Sequence, residues 1–73
     1  MKTYTVVLTP DPIDGGFIAT VPALPGCVTQ GDTVEEAIEN AEDVIRLFVS
    51  SLERHGEPVP EEQDPPIVQS VRV

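Results

Sequence analysis

The chain has 73 residues, of which 13 are Asp or Glu and only four are Lys or Arg, so its formal net charge is −9 at pH 7. Such an acidic chain repels nucleic-acid phosphates, because duplex binding needs clustered Lys and Arg side chains. Cys27 is the only cysteine and His55 the only histidine, which excludes an internal disulfide and a cysteine-rich zinc site.

The chain length predicts one small domain, residues 1–73, with a thin hydrophobic core. Domains of this size bury only about 60% of the surface of the unfolded chain. Because no disulfide is available, we expect a homo-oligomer, a dimer or tetramer, to supply further stability. No apolar run reaches the roughly 18 residues of a membrane span. The free cysteine is consistent with a reducing compartment, so we predict a cytoplasmic protein with no membrane segment.

The first segment predicts a β-hairpin. Residues Lys2–Thr9 are rich in Thr, Val and Tyr, which favour strands, and Pro10 ends this strand because it has no N–H to donate. Gly15 and Gly16 tolerate the positive φ of a tight connection. Phe17–Val21 then resumes as the second strand, antiparallel to the first.

A proline-rich turn leads to a third strand. Pro22 and Pro25 each fix one φ angle, and Gly26 leaves one free. Cys27–Gln30 is short and β-like, and Gly31 ends it. These three strands predict an antiparallel meander.

The following segment predicts one long helix. Thr33 and Glu36 have the spacing of a capping box, and Gly56 is suited to the C′ position. The helix has about 21 residues and a length of roughly 31 Å. Its apolar residues recur at i, i+3 and i+4 and form one stripe, which predicts packing against one face of the sheet. The stripe consists of Val34, Ala37, Ile38, Ala41, Val44, Ile45, Phe48 and Leu52.

The C-terminal part of the chain predicts a loop and a last strand. Glu57–Pro66 contains four prolines and four carboxylates, which prevent regular structure. Ile67–Val73 regains β character and is suited to pair as a final strand. The fold class is therefore α+β, a small β-β-β-α-β domain with an antiparallel sheet and one long helix on one face.

No catalytic, metal-binding or cofactor-binding residue is predicted. Asp11, Asp14, Asp32 and Glu35 are the only candidates for a two-metal carboxylate cluster, and turn and cap chemistry explains them better. Cys27 and His55 are expected to lie far apart, so they form no thiol–imidazole pair. Cys27 is interpreted as a small buried strand residue.

The segment from Gly15 to Asn40 and its flanks resemble the core of the HicB-like antitoxin family. The matching elements extend over most of the chain and are specific as a set. They are Gly15-Gly16-Phe17, the Val21-Pro22-x-Leu24-Pro25-Gly26-Cys27 loop, Thr29-Gln30-Gly31-Asp32-Thr33, Glu36-Ala37, Asn40-Ala41 and Gly56-Glu57-Pro58-Val59-Pro60. Seven residues are interpreted as structural determinants: Gly15, Gly16, Pro22, Pro25, Gly26, Thr33 and Glu36.

The resemblance implies a partial ribonuclease-H-like fold without that enzyme's active site. In the family, this domain binds a small basic HicA-type toxin that cleaves mRNA, and it blocks that activity. Members commonly form oligomers, and many carry a C-terminal DNA-binding segment. Only seven residues follow Pro66 here, so we expect no direct DNA binding. An acidic surface is suited to a basic protein partner.

The leading function is therefore an antitoxin module, and the protein is not predicted to be an enzyme. One alternative is a stand-alone structural or regulatory oligomer of the same fold without a toxin. A minor alternative is a degenerate ribonuclease-H-like nuclease that would use Asp11 or Asp14. Apolar residues left uncovered by the helix are candidate oligomer contacts, namely Val7, Ile18 and Ile67.

Overall fold

A computed structural model describes residues 2–73 of the chain. It contains a three-stranded antiparallel sheet in the order β1-β2-β3 and one helix. The elements are β1 (Val7–Pro10), β2 (Phe17–Thr20), β3 (Val28–Gly31) and α1 (Val34–Arg54). The α+β class, the antiparallel sheet and the single long helix on one face are confirmed.

The registers of the sheet give its two faces different characters. Val7 pairs with Thr20 on β2, and Ile18 of β2 pairs with Gln30 on β3. Successive side chains of a strand point to opposite faces. Leu8, Phe17 and Ala19 therefore face α1, whereas Val7 and Ile18 face away from it.

The core between sheet and helix is built largely from small side chains. Ala19, Ala37 and Ala41 are each at most 1% exposed and form one cluster, against which Val6 and Leu8 pack. A second cluster contains Val21, Leu24 and Cys27, and Val44, Ile45 and Phe48 of the apolar stripe pack against it. Val34 and Ile38, which were predicted to belong to the packed stripe, are exposed. The alanines let the helix backbone approach the sheet closely, and α1 lies mainly over β3 and β2.

The first strand is shorter than predicted, because it begins at Val7 and not at Lys2. Directly after β2, the Val21 N–H donates to the Cys27 carbonyl at 3.2 Å, and the next residue, Pro22, has no N–H. The ladder therefore has no donor to continue beyond Thr20. The Thr5 N–H donates instead to a side chain, Glu62 Oε1, at 2.7 Å.

The last predicted strand is absent from the sheet of the described chain. Residues 67–73 adopt no regular structure, and Ile67, Val68 and Val71 are each at least 80% exposed. The β propensity of this segment requires a partner strand, and none of the three strands pairs with it. Here the tail is defined as Ile67–Val73, and the preceding segment 57–66 is called the strap.

Candidate functional site

The hairpin connection between β1 and β2 depends on its two glycines. Gly15 and Gly16 have φ angles of +77° and +73°, which residues with a Cβ atom rarely adopt. The Asp11 N–H donates to the Gly16 carbonyl at 3.0 Å, and the Gly15 N–H donates to the Asp11 carbonyl at 3.1 Å. The Asp11 carboxylate accepts from the Ile13 and Asp14 amides, so its role in the structure is turn chemistry.

The turn between β2 and β3 is anchored by a leucine. The Leu24 side chain is fully buried, and its N–H donates to the Val21 carbonyl at 2.9 Å. Pro22 and Pro25 flank this anchor and are exposed, and Gly26 has a φ of +88°. The two prolines and the glycine therefore shape a surface turn around one buried side chain.

The start of α1 is capped by two side chains. Thr33 Oγ1 accepts from the Glu36 N–H at 3.1 Å, as a capping box requires. Glu36 Oε1 accepts from the Asp32 N–H, also at 3.1 Å, and not from the Thr33 N–H. Both hydrogen bonds satisfy backbone donors at the helix start, where the dipole also favours the carboxylate.

The hairpin connection and the start of α1 come together around a polar groove. The groove has a volume of about 410 Å³, and its lining includes Asp14, Asp32, Glu36 and Asn40. Asn40 Nδ2 donates to the Gln30 carbonyl at 2.8 Å, which joins the helix to the outer edge of β3. The three carboxylates give the groove a negative charge.

Further carboxylates extend this charge along the exposed side of the helix. The acidic surface is defined as Asp14, Asp32, Glu35, Glu36, Glu39, Glu42 and Asp43, all of which are exposed. Arg46 forms ion pairs with Glu42 and Asp43 at one end. Exposed ion pairs contribute little to stability, so this end is partly neutralised without being held rigidly. The remaining carboxylates form an exposed anionic face.

The face of the sheet that points away from α1 is apolar at its centre. Val7 and Ile18 are half-buried there, and Val28 beside them is 54% exposed. Two of the three candidate oligomer contacts therefore share this open face. The third, Ile67, lies on the tail and is 82% exposed.

A second groove lies between α1 and the segment that leads into β1. Its volume is about 540 Å³, and its lining includes Tyr4, Ile45 and Val49, with Lys2 and Glu53 among the charged residues. Tyr4 also anchors the strap, since its hydroxyl donates to the Pro60 carbonyl at 2.6 Å. This groove is called the β1 groove.

The strap is held at the end of β1 by a carboxylate. Glu62 accepts from the Thr5 N–H at 2.7 Å and from Thr5 Oγ1 at 2.6 Å. These hydrogen bonds lower the pKa of the Glu62 carboxyl, the hydroxyl bond contributing most. Sequence reasoning missed Glu62, because nothing local to an acidic, proline-rich segment indicates which carboxylate meets a strand 57 residues away.

The cysteine and the histidine have separate environments. Cys27 is 2% exposed, and burial raises the pKa of its thiol, which disfavours the nucleophilic thiolate. His55 is exposed at the end of α1, with Nδ1 2.7 Å from the Ser51 carbonyl. Across residues 2–73, no three His, Cys, Asp or Glu side chains are placed to share a metal ion.

Within those residues, no helix combines the length and apolarity needed to cross a membrane.

Comparison with known proteins gives consistent matches. The sequence model described as "HicB_like antitoxin of bacterial toxin-antitoxin system" matches residues 4–70. A UPF0150 protein of Thermoplasma acidophilum is 49% identical over 57 residues, which cover 78% of this chain and 81% of that protein. A UPF0150 protein of Synechocystis is 49% identical over 59 residues, which cover 81% of this chain and 73% of that protein. Antitoxin HicB of Escherichia coli K12 is 45% identical over 42 residues, covering 58% of this chain and 30% of that protein.

Proposed function

The chain belongs to the HicB-like antitoxin family, and on that premise we propose that it binds and neutralises a basic, mRNA-cleaving toxin of the HicA type. The family is an antitoxin family, so a toxin partner is the expected ligand. A toxin that cleaves cellular mRNA acts in the cytoplasm, and we propose that location for this chain as well.

The observation that carries the proposal, beside family membership, is the acidic surface. Seven exposed carboxylates extend from the hairpin connection along α1, on a chain with a net charge of −9. A toxin that binds RNA needs a positive surface for the phosphates. An acidic protein attracts that same surface, raises the association rate and competes with RNA for it.

The test mixes this chain with a small basic protein of the HicA type taken from a gene adjacent to its own. We expect the two proteins to elute as one species in size-exclusion chromatography. Their association rate should fall steeply between low and physiological salt. Mixing that leaves two independent species at micromolar concentrations of both proteins would contradict the proposal.

A second candidate is a stand-alone oligomer without a toxin. The UPF0150 relatives are matched over 73% and 81% of their own length, whereas Antitoxin HicB of E. coli is matched over only 30%. The names of those UPF0150 proteins refer to no toxin. A homo-oligomer that binds no neighbouring gene product would favour this second candidate.

We propose a homo-oligomer, a dimer or tetramer, in either case. Val7 and Ile18 on the open face of the sheet are the proposed contact, together with Ile67 on the tail. A thin core limits the stability of a chain of this size, and covering these apolar side chains adds burial. Light scattering at micromolar concentration tests this, and a mass equal to the 7.9 kDa of one chain would contradict it.

A further inference from the structure

The tail has the residues of a strand but no strand beside it. Of its seven residues, Ile67, Val68, Val71 and Val73 are large and apolar, and each is at least 80% exposed. Alternation places Ile67, Val71 and Val73 on one side, with Val68, Ser70 and Arg72 on the other. One side of an extended tail is therefore mostly apolar, and none of the residues 2–66 covers it.

The free edge of β1, a strand of four residues, is an unpaired edge of the sheet. The Asp11 N–H points towards β2, because it donates to the Gly16 carbonyl. By the two-residue alternation of an antiparallel ladder, Val7 and Thr9 also bond towards β2, and Leu8 and Pro10 face outward. Pro10 lacks an N–H, which fits only an outward position. Leu8, and Val6 before it, are left with outward N–H and C=O groups.

The opposite edge of the sheet is less available. The same alternation makes the Gln30 carbonyl face outward on β3, since the Val21 N–H donates to Cys27 and sets the register. Asn40 of α1 donates to that carbonyl at 2.8 Å. The helix lies mainly over β3 and β2. The β1 groove, whose lining includes Tyr4, Ile45 and Val49, is open to solvent next to the segment that leads into β1.

The strap directs the tail away from the β1 edge of its own chain. It is held at Tyr4 and Thr5, which precede β1, and Glu62 and Pro66 of the strap then line one cleft together with Pro22 and Ala23. Pro22 and Ala23 follow β2, so the chain passes to the β2 side of β1 before the tail begins. Pairing with its own β1 edge would require the strap to leave these contacts.

We propose that the tail of one copy adds as a fourth strand to the β1 edge of a second copy. Main-chain hydrogen bonds to Val6 and Leu8 hold it there, and Ile67, Val71 and Val73 cover the β1 groove. The exchange is reciprocal, so two copies close each other's free edges. This inference rests on the proposed homo-oligomer. It makes the tail the contact without which the two copies separate, and it places Ile67 on the helix side of the partner's sheet, opposite the face of Val7 and Ile18.

The tail offers a clean test, since it makes no contact that holds its own domain together. Val71→Pro removes a ladder donor, and Val68→Thr, a β-branched replacement on the side of the tail that faces away from the groove, is the control. We expect wild type and Val68→Thr to have twice the single-chain mass in light scattering, and Val71→Pro to fall to the single-chain mass with unchanged helix content. A dimer or tetramer that persists in Val71→Pro overturns the exchange but leaves the homo-oligomer in place. A wild-type monomer overturns both.

A second measurement distinguishes exchange from pairing within one chain. A nitroxide is attached at Ser70→Cys in a Cys27→Ala chain that carries no ¹⁵N, and this chain is refolded with ¹⁵N-labelled wild type. Ser70 lies on the side of the tail that faces away from the groove. We expect broadening of the Val6 and Leu8 amide signals of the ¹⁵N chain. Broadening of these signals only when label and ¹⁵N share a chain would overturn the proposal.

Discussion

Gly31 and Ala37 lie so close that a Cβ atom on Gly31 would stand 2.4 Å from the Ala37 backbone nitrogen. Gly31 ends β3, and Ala37, fully buried, lies in the first turns of α1. The other atoms near that Cβ position are also helix backbone, which cannot move aside as a side chain can. This contact sets how closely the helix packs on the sheet, and it brings the acidic residues at the helix start beside the hairpin connection.

Gly31→Ala should therefore destabilise the fold strongly. Inserting a methyl group into a backbone contact forces helix and sheet apart, and overpacking of this kind costs about 1–3 kcal/mol or more. Gly15→Ala is the matched control, because its Cβ would meet nothing within 4 Å and the cost is only that of a positive φ, about 1–2 kcal/mol. Urea unfolding measures both. A Gly31→Ala midpoint equal to that of wild type would show that the close contact has no energetic role.

Thr33→Ala should lower the free energy of unfolding by about 1 kcal/mol, because the Glu36 N–H loses its acceptor. Thr33→Ser keeps the hydroxyl and should stay within a few tenths of a kcal/mol of wild type. Chemical denaturation followed by circular dichroism compares the three proteins. If Ser and Ala proved equally destabilising, the methyl group and not the cap would be responsible.

The strap should loosen in acid. The Thr5 hydrogen bonds lower the pKa of Glu62 from its ordinary 4.5. A carboxyl with a lowered folded-state pKa contributes stability that is present above the unfolded value and is lost as the pH falls through the lowered folded value. The Thr5 amide signal, followed by NMR, should therefore titrate with a midpoint below 4.5.

Glu62→Gln should abolish that titration at Thr5. Glu61→Gln is the neighbouring control, since Glu61 makes only an exposed ion pair with Lys2 at 3.8 Å. A Thr5 titration that survives Glu62→Gln would assign it to a different carboxylate.

Charge reversal on the acidic surface should slow toxin association. Glu35→Lys combined with Glu39→Lys changes the net charge by four units on the exposed side of α1, away from the buried stripe. Rim charges act mainly on association rates, so we expect a drop of about tenfold or more at low salt. Glu57→Lys with Asp64→Lys makes the same charge change on the strap. Equal losses in both double variants would indicate net charge alone, with no preferred surface.

Local chemistry allowed most of the fold to be predicted. Thr33, Glu36 and the apolar periodicity after them gave the helix, and Gly15 and Gly16 gave the hairpin, because each signal acts within a few residues. Cys27 was expected to be a buried strand residue; it is buried, but it lies just before β3, which begins at Val28 and includes Gly31. The structural roles proposed for the turn and cap residues rest on the same local signals, and the variants described above test them.

Contacts between distant segments were not predictable from the sequence. Tyr4 meets Pro60 and Thr5 meets Glu62 across more than 50 residues, and nothing in either segment indicates the other. The tail was wrongly predicted to be a strand of the sheet. Its residue types favour a strand, but they do not indicate whether a partner strand is within reach. The length of β1 was overestimated for a related reason. Pro22, which has no N–H to extend the ladder with β1, belongs to the segment after β2.

The antitoxin function is tested most directly by measuring the cleavage of mRNA by such a HicA-type protein while this chain is titrated in. We expect cleavage to fall to background as the chain reaches a fixed stoichiometric ratio to the toxin. We also expect Glu35→Lys with Glu39→Lys to shift this titration to higher concentrations, whereas Glu57→Lys with Asp64→Lys does not. Cleavage that continues undiminished at an excess of the folded wild-type chain would contradict the antitoxin function.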